Sequence, residues 1–366
     1  MRPAKRQRRV PPEPAVGGPS SPRRFSPLRL LWLVVPAAVA GLAFFISTST
    51  DPSIPEINGL QQAPPFVVRD IPGKGKGVVA TRDIKQGELL IQEPPLFVVP
   101  KSISESPAAL ISRLLNNVTQ ANRDAFWSLS YVNFPEGLDP ETHPEEVALA
   151  IFQTNAVSAN NDGVGIFPRM ARLNHGCASA FNVVYSWRKR EQQIFIHALR
   201  DIQRGQELLT TYTETKRTRN ERREFLSQQY GFMCTCAVCS LDDAASKLSD
   251  ERLTAISHYY GHFATWGSES ISGVEAISTI NTIWKLEDEE GYWSERGQLA
   301  ADAAWISAAH SDASAARFWA QLAVKWYSYE LGADSELVSE VQRIAENPEQ
   351  HPAWGSRKPL TVGPLV

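Results

Sequence analysis

The side chains of this sequence whose types and spacing could do chemistry are four cysteines, two tyrosines and an Asn-His pair. Cys234, Cys236 and Cys239 form a C-x-C-x2-C cluster at the end of the stretch 205–239, and Cys177 follows Asn174, His175 and Gly176. Four cysteines could form two disulfides, stay as buried thiols or hold a metal. Three within six residues are too crowded for ordinary structural disulfides among themselves, and tetrahedral thiolate coordination suits that crowding. Cys177 is the one cysteine outside the cluster, so a four-thiolate zinc site would use every thiol and close a loop of about sixty residues. Such an ion keeps no open position, so its role would be structural, without Lewis-acid chemistry. Tyr212 ends the strand-like run Leu208–Tyr212, and Tyr230 precedes the cysteine loop. Taken alone, the tyrosines read equally as packing, and Asn174-His175 as a satisfied core pair.

The elements that must position these groups are short. Runs at 66–68, 77–80 and 89–91 are β-prone and separated by glycine-rich or charged turns, among them Pro72-Gly73-Lys74-Gly75-Lys76-Gly77. The glycines there let a backbone approach a ligand closely. Residues 105–135 and 144–155 carry helical patterns, 181–186 and 193–198 read as a strand pair, and another strand is expected at 207–212. Residues 250–345 turn to Ala, Trp, Glu and Leu at helical spacing, with 315–327 strongly amphipathic. That texture predicts two or three helical hairpins, of a tetratricopeptide-like kind though without a clean 34-residue period, and a loose tail after Asn347.

Composition bounds the rest. The 366 residues are 43% hydrophobic and 21% charged, which fits a globular protein with a modest pair of domains. Residues 1–30 hold eight Lys/Arg and one Glu, so the net charge of -3 conceals a body of about -10. An acidic body suits a basic partner such as a lysine-rich peptide and gives no reason to expect direct nucleic-acid binding. Residues 1–28 read as a disordered basic segment, 29–46 as an apolar stretch near the lower limit for a transmembrane signal anchor, and 47–64 as a linker. A cleaved signal peptide is the alternative for 29–46, and Lys5–Arg9 resembles a nuclear localisation patch. The expected location is therefore membrane-anchored, or nuclear or cytoplasmic if that stretch is not used. Asn117-Val118-Thr119 is a glycosylation sequon, with meaning only for a lumenal body.

The order of the motifs is more specific than any one of them. Gly-Lys-Gly-Lys-Gly, Asn-His-x-Cys, Gly-Gln-Glu-Leu-x-Thr-x-Tyr and Tyr-x-Phe-x-Cys-x-Cys-x2-Cys follow one another in that sequence. This resembles the SET-domain protein-lysine methyltransferases, most closely the split-SET group (SET-and-MYND proteins and fungal relatives), over residues 65–240 and more loosely beyond. The resemblance implies an α+β fold: a SET domain of small curved sheets with a pseudoknot at 65–215, a helical insert at about 101–155, a post-SET zinc segment at 216–240 and an α-helical domain at 241–346.

It further implies S-adenosyl-L-methionine as cofactor and a protein or peptide lysine as substrate, entering from opposite faces. Lys74, Gly75 and Lys76 match the turn along the cofactor; Asn174 and His175 match the pair that contacts it; Phe232 matches the aromatic on its adenine. Tyr212 and Tyr230 match the tyrosines of the transfer channel, Tyr212 also touching the cofactor, and Asn155 and Val157 match the substrate channel. Cys177, Cys234, Cys236 and Cys239 match the structural zinc ligands, and a monomer is expected. The sequence departs from the family at Gly176–Asn182, where Asn-His-Ser-Cys-x-Pro-Asn becomes Asn-His-Gly-Cys-Ala-Ser-Ala-Phe-Asn, and residues 100–150 hold no cysteine for a MYND finger. Two other readings stay open: a catalytically weak SET-fold module that binds peptides, and a secreted protein with two disulfides.

Overall fold

In the computed structural model, residues 64–159 and 163–364 are described. The apolar stretch 29–46, expected as a membrane anchor, lies outside them, and among the described residues no helix is long and apolar enough to cross a membrane. Strands β1 (Phe66–Ile71) and β2 (Gly75–Ala80) form an antiparallel hairpin. Its turn uses left-handed backbone at Gly73 and Gly75 (φ +74° and +71°), conformations open to glycine at no steric cost. Strand β3 (Leu89–Glu93) belongs to a second sheet with the hairpin β8 (Val183–Arg188) and β9 (Gln193–Ala198), in the order β3-β9-β8. Two-residue strands β4 (Val98–Val99), β5 (Val157–Ser158) and β6 (Val164–Gly165) make a third, ordered β4-β6-β5.

The helical pattern over 105–135 resolves into two short helices, α1 (Pro107–Asn116) and α2 (Gln120–Trp127). The break falls at the sequon, where the Thr119 hydroxyl accepts from the Asn122 N–H and starts α2. With α3 (Pro144–Asn155) they enclose Phe97, Phe126, Ile111, Phe152 and Ile166 in a core of their own.

One strand joins the parts. The first half of β10 (Glu207–Thr210) pairs antiparallel with β2, Leu208 opposite Val78. Its second half pairs parallel with β7 (Asn174–His175), Leu209 opposite Asn174 and Thr210 opposite His175. Leu208 is fully buried among Val78, Ile84, Ile196 and Ile202.

Beyond α4 (Arg219–Tyr230), which opens with a Thr218/Glu221 capping box, come α5 (Asp243–Ala264), α6 (Gly273–Glu290), α7 (Arg296–Ala309), α8 (Ala313–Leu331) and α9 (Glu336–Glu346). Ala300, Ala303, Ala304, Ala315, Ala320 and Ala323 are all buried, and such small side chains let α7 and α8 approach closely around the buried Trp319. The segment after Asn347, expected to be loose, is tied down instead. Gly355, Arg357 and Leu360 N–H groups donate to the carbonyls of Ala308, Ala309 and His310, satisfying the end of α7, and Val362 is buried.

Leu208→Ala should lower the unfolding free energy by about 2–5 kcal/mol, because the cavity would open at the junction of the sheets, where relaxation is hardest. Chemical denaturation of the two proteins measures it.

Candidate active site

A cavity of about 390 Å³ opens where β7, β10 and the start of the cysteine loop meet. Its walls include Lys74, Lys76, Asn155, Val157, Asn174, Tyr185, Thr211, Tyr212, Tyr230 and Phe232. Of the residues singled out in the sequence, Gly75, His175 and the four cysteines are not on the wall itself. The size falls within the usual range for a small-molecule site.

The Asn-His pair is held by a chain of polar contacts. The Asn174 amide donates to Glu207 Oε1 (2.8 Å), and Lys74 Nζ lies 2.7 Å from Glu207 Oε2. One carboxylate on β10 therefore joins the glycine-rich hairpin to β7. Gly77 sits against this chain: a Cβ there would lie 2.8 Å from Asn174 Nδ2 and 3.0 Å from Glu207 Oε1. Lys76 instead pairs with Asp70 in an exposed bridge.

His175 is buried between the cavity wall and the cysteines. Its Nδ1 accepts the backbone N–H of Tyr212 (3.0 Å), which leaves the proton on Nε2, 3.0 Å from Cys177 Sγ. Burial pushes the ring's pKa down to about 4, against the opposite pull of Cys236. The Tyr212 hydroxyl donates to the Leu173 carbonyl (2.7 Å), so this tyrosine is fixed at both ends. Its ring centroid lies 5.0 Å from that of Tyr230 and 5.3 Å from His175. Burial, and then the neighbouring Tyr230, raise the pKa values of Tyr212 and Tyr185 above that of an ordinary phenol.

Tyr185 is one residue that sequence reading missed. It stands on β8 facing the same cavity, and its hydroxyl has no hydrogen-bond partner among the described residues. The available signal was alternation: in Val183–Arg188 the odd positions share one face. Glu93 was missed as well. Its buried carboxylate accepts the Arg169 and Met170 N–H groups (2.8 and 3.0 Å) and sets the turn leading into β7. Asn155 lies on the wall with its amide committed to the carbonyls of Ser130 and Ile151 (2.7 and 2.8 Å).

The departure at Gly176–Asn182 has a local explanation. A Cβ on Gly176 would come within 2.8 Å of the Phe181 nitrogen, so the tight turn requires glycine there. Ala178 adopts positive φ, and Ala180 N–H closes on the Cys177 carbonyl (2.7 Å). The two additional residues are thereby taken up in the turn, and Asn182 reaches β10. Its amide donates to the Glu207 carbonyl (2.9 Å), while its Oδ1 accepts the Leu209 N–H (2.8 Å).

All four cysteines are buried with free thiols, and their sulfurs lie within 4.8 Å of one another. Cys177 Sγ is 3.9 Å from Cys234 Sγ and 3.6 Å from Cys239 Sγ. Zinc–sulfur bonds of 2.3 Å in a tetrahedron would set such sulfurs about 3.8 Å apart. Arg222 of α4 is fully buried nearby. Burial works against its charge, but Cys177, Cys239 and Asp250 outweigh it and hold the pKa above the ordinary arginine value. Its guanidinium lies against Cys239 and Cys177, so a buried cation faces the cluster, as an anionic thiolate centre would need. All four cysteines are free, so neither bond of the two-disulfide reading is present in the structure.

These features define a SET-type fold, and the comparisons agree. The SET-domain family model matches residues 75–213. The chain is 30% identical over 288 residues to the histone-lysine N-methyltransferase set5 of Schizosaccharomyces pombe, covering 78% of this chain and 85% of that protein. It is 36% identical over 125 residues to human histone-lysine N-methyltransferase SMYD3, but that stretch is 34% of this chain and only 26% of SMYD3. A solved SET domain of LSMT bound to lysine and AdoHcy overlaps 81% of this chain and 91% of its own at 12% identity; its TM-score of 0.32 is too low to carry weight. The chain belongs to the SET-domain family of protein-lysine methyltransferases.

Gly77→Ala should displace the Asn174–Glu207–Lys74 chain and cost about 1–3 kcal/mol, as overpacking does. A thermal melt beside the wild type is the check, and an unchanged midpoint would refute the close packing described.

Proposed function

We propose that the chain transfers a methyl group from S-adenosylmethionine to lysine side chains of proteins, within the cavity walled by Tyr212, Tyr230 and Tyr185. The observation that carries this reading is the convergence of three tyrosines with Asn174 and Phe232 on one cavity. The cofactor, when bound, supplies an electrophilic sulfonium methyl. The Lys74–Lys76 turn, Asn174, His175 and Phe232 would hold it, while Asn155, Val157 and Tyr185 would face the lysine.

The protein's part is alignment. An in-line displacement needs the amine neutral and collinear with the bond that breaks, and positioning alone can supply much of the rate. A dry wall of aromatic rings disfavours the charged ammonium and lowers the amine's pKa. The raised tyrosine pKa values keep those phenols neutral, so they act as hydrogen-bonding groups rather than as anions that would hold the ammonium form. Tyr212 is fixed by Leu173 and His175, whereas the unpartnered Tyr185 hydroxyl is free to meet the substrate nitrogen. The Asn182 pairing with β10 supports the enzyme over a weak binding module, because it rebuilds the junction that the altered motif had put in question.

Cys177, Cys234, Cys236 and Cys239 would hold a structural zinc in the post-SET segment. The ion would tether Cys177, next to the site, to the loop carrying Phe232, a linkage that no strand provides.

Radiolabelled S-adenosylmethionine with core histones and with a cell lysate tests the activity; no protein labelled in either would refute it. Tyr212→Phe should cut kcat by about tenfold to a hundredfold, the scale at which lost positioning is felt, with calorimetric cofactor binding retained. Elemental analysis should find one zinc per chain, and Cys236→Ser should lose both the zinc and thermal stability.

A further inference from the structure

Every residue lining the cavity lies before residue 233, so the helical region touches none of the chemistry directly. Yet the turn between α6 and α7, Gly291–Glu295, meets the segments that follow two of the lining residues, Asn174 and Tyr212. Tyr292 is buried edge-on against Phe181 (centroids 5.8 Å apart), at the end of the Cys177–Asn182 turn. Glu295 holds Lys216, four residues beyond Tyr212, with Nζ 3.0 and 3.1 Å from its two carboxylate oxygens. The Lys216 side chain is only 7% exposed, lies 5.2 Å from the centre of the Tyr292 ring and 5.5 Å from that of Tyr260, and has Glu214 at 3.5 Å.

The turn is itself held rigidly. Arg296 is buried among Trp284, Trp293 and Trp326, 4.7–5.1 Å from their ring centres, and it reaches Asp288 (2.7 Å) and the Tyr292 carbonyl (3.1 Å). Glu295 adopts positive φ (+71°), a conformation that a non-glycine residue keeps only where its surroundings demand it.

We propose that Lys216 is a positioning residue for methyl transfer: through Glu295 it fixes the Tyr212 segment to the α6–α7 turn, so that the helical region sets the geometry of a channel it does not line. A buried ion pair is seldom more stabilising than apolar residues of the same volume, but its paired contacts fix orientation. Burial would depress the lysine's pKa, yet Tyr292, Glu295 and Glu214 raise it above the ordinary value, so the pair stays ionic. Lys216→Met leaves Glu295, whose side chain is 47% exposed, able to rehydrate, which makes it a milder probe than removing Glu295 and stranding a buried cation.

This inference rests on the methyltransferase reading, and the test separates the two. The full chain, Lys216→Met and Lys216→Arg are compared for kcat and KM on core histones, cofactor affinity by calorimetry, and deuterium exchange over 207–218. Lys216→Met should lower kcat by about tenfold to a hundredfold with cofactor affinity retained, raise exchange in that segment, and be rescued in large part by Lys216→Arg. Unchanged kcat and exchange in Lys216→Met would overturn the proposal. So would a parallel loss of cofactor affinity and melting temperature without rescue, which marks a merely structural role. A wild-type protein that labels no histone counts against the histone arm of the function; faster exchange over 207–218 would then still support the tether, and unchanged exchange would overturn it.

Discussion

The split pairing of β10 is the constraint on which the other parts depend. A four-residue strand bonds antiparallel to β2 through one half and parallel to β7 through the other. It therefore has to be threaded between segments far apart in sequence. Buried backbone groups must be paired somewhere, and beside the two-residue pairing with β7 the Asn182 side chain takes the Glu207 carbonyl and the Leu209 N–H. The Asn-His pair, the tyrosine after β10 and the glycine-rich hairpin are neighbours only because this strand lies between them.

Around that junction, charge is handled by pairing rather than by exposure. Glu207 serves both Asn174 and Lys74, and Glu93 accepts two backbone N–H groups. Arg222 is buried beside four thiols. His175 is the meeting point: one ring nitrogen accepts from the Tyr212 backbone, and the other faces Cys177. The cysteine cluster and the orientation of Tyr212 are consequently parts of one hydrogen-bonded chain, and a disturbance at either end has a direct route to the other.

The helical region extends this support. Its alanine-lined α7–α8 contact and buried tryptophans make a stiff body, and the α6–α7 turn is the part of it that presses on Phe181 and Lys216. Stiffness there matters because in-line transfer tolerates little misplacement, and the loop after Tyr212 has no strand of its own to hold it.

The sequence by itself determined the family and singled out eight of the residues that line the cavity. Crowded cysteines, paired tyrosines and the Asn-His dipeptide are local patterns in a fixed order, and residue type limits what each can do. Strand and helix positions were also legible wherever periodicity was strong, as at 193–198 and 315–327. What only the tertiary structure decided depends on which distant segments touch. The break at Asn117–Thr119 is a capping effect hidden inside a helical pattern, and the tail after Asn347 is ordered by carbonyls at the end of α7. Tyr185 drew no attention because a tyrosine on a half-buried strand looks like any other until the opposite wall is known. The turn at Gly176–Asn182 looked like lost motif and proved to be a longer route to the same hydrogen bonds. Side-chain identity is encoded residue by residue, but the pairing of β10 is a long-range property, and it sets Asn174, Tyr212 and the glycine-rich hairpin side by side at the cavity.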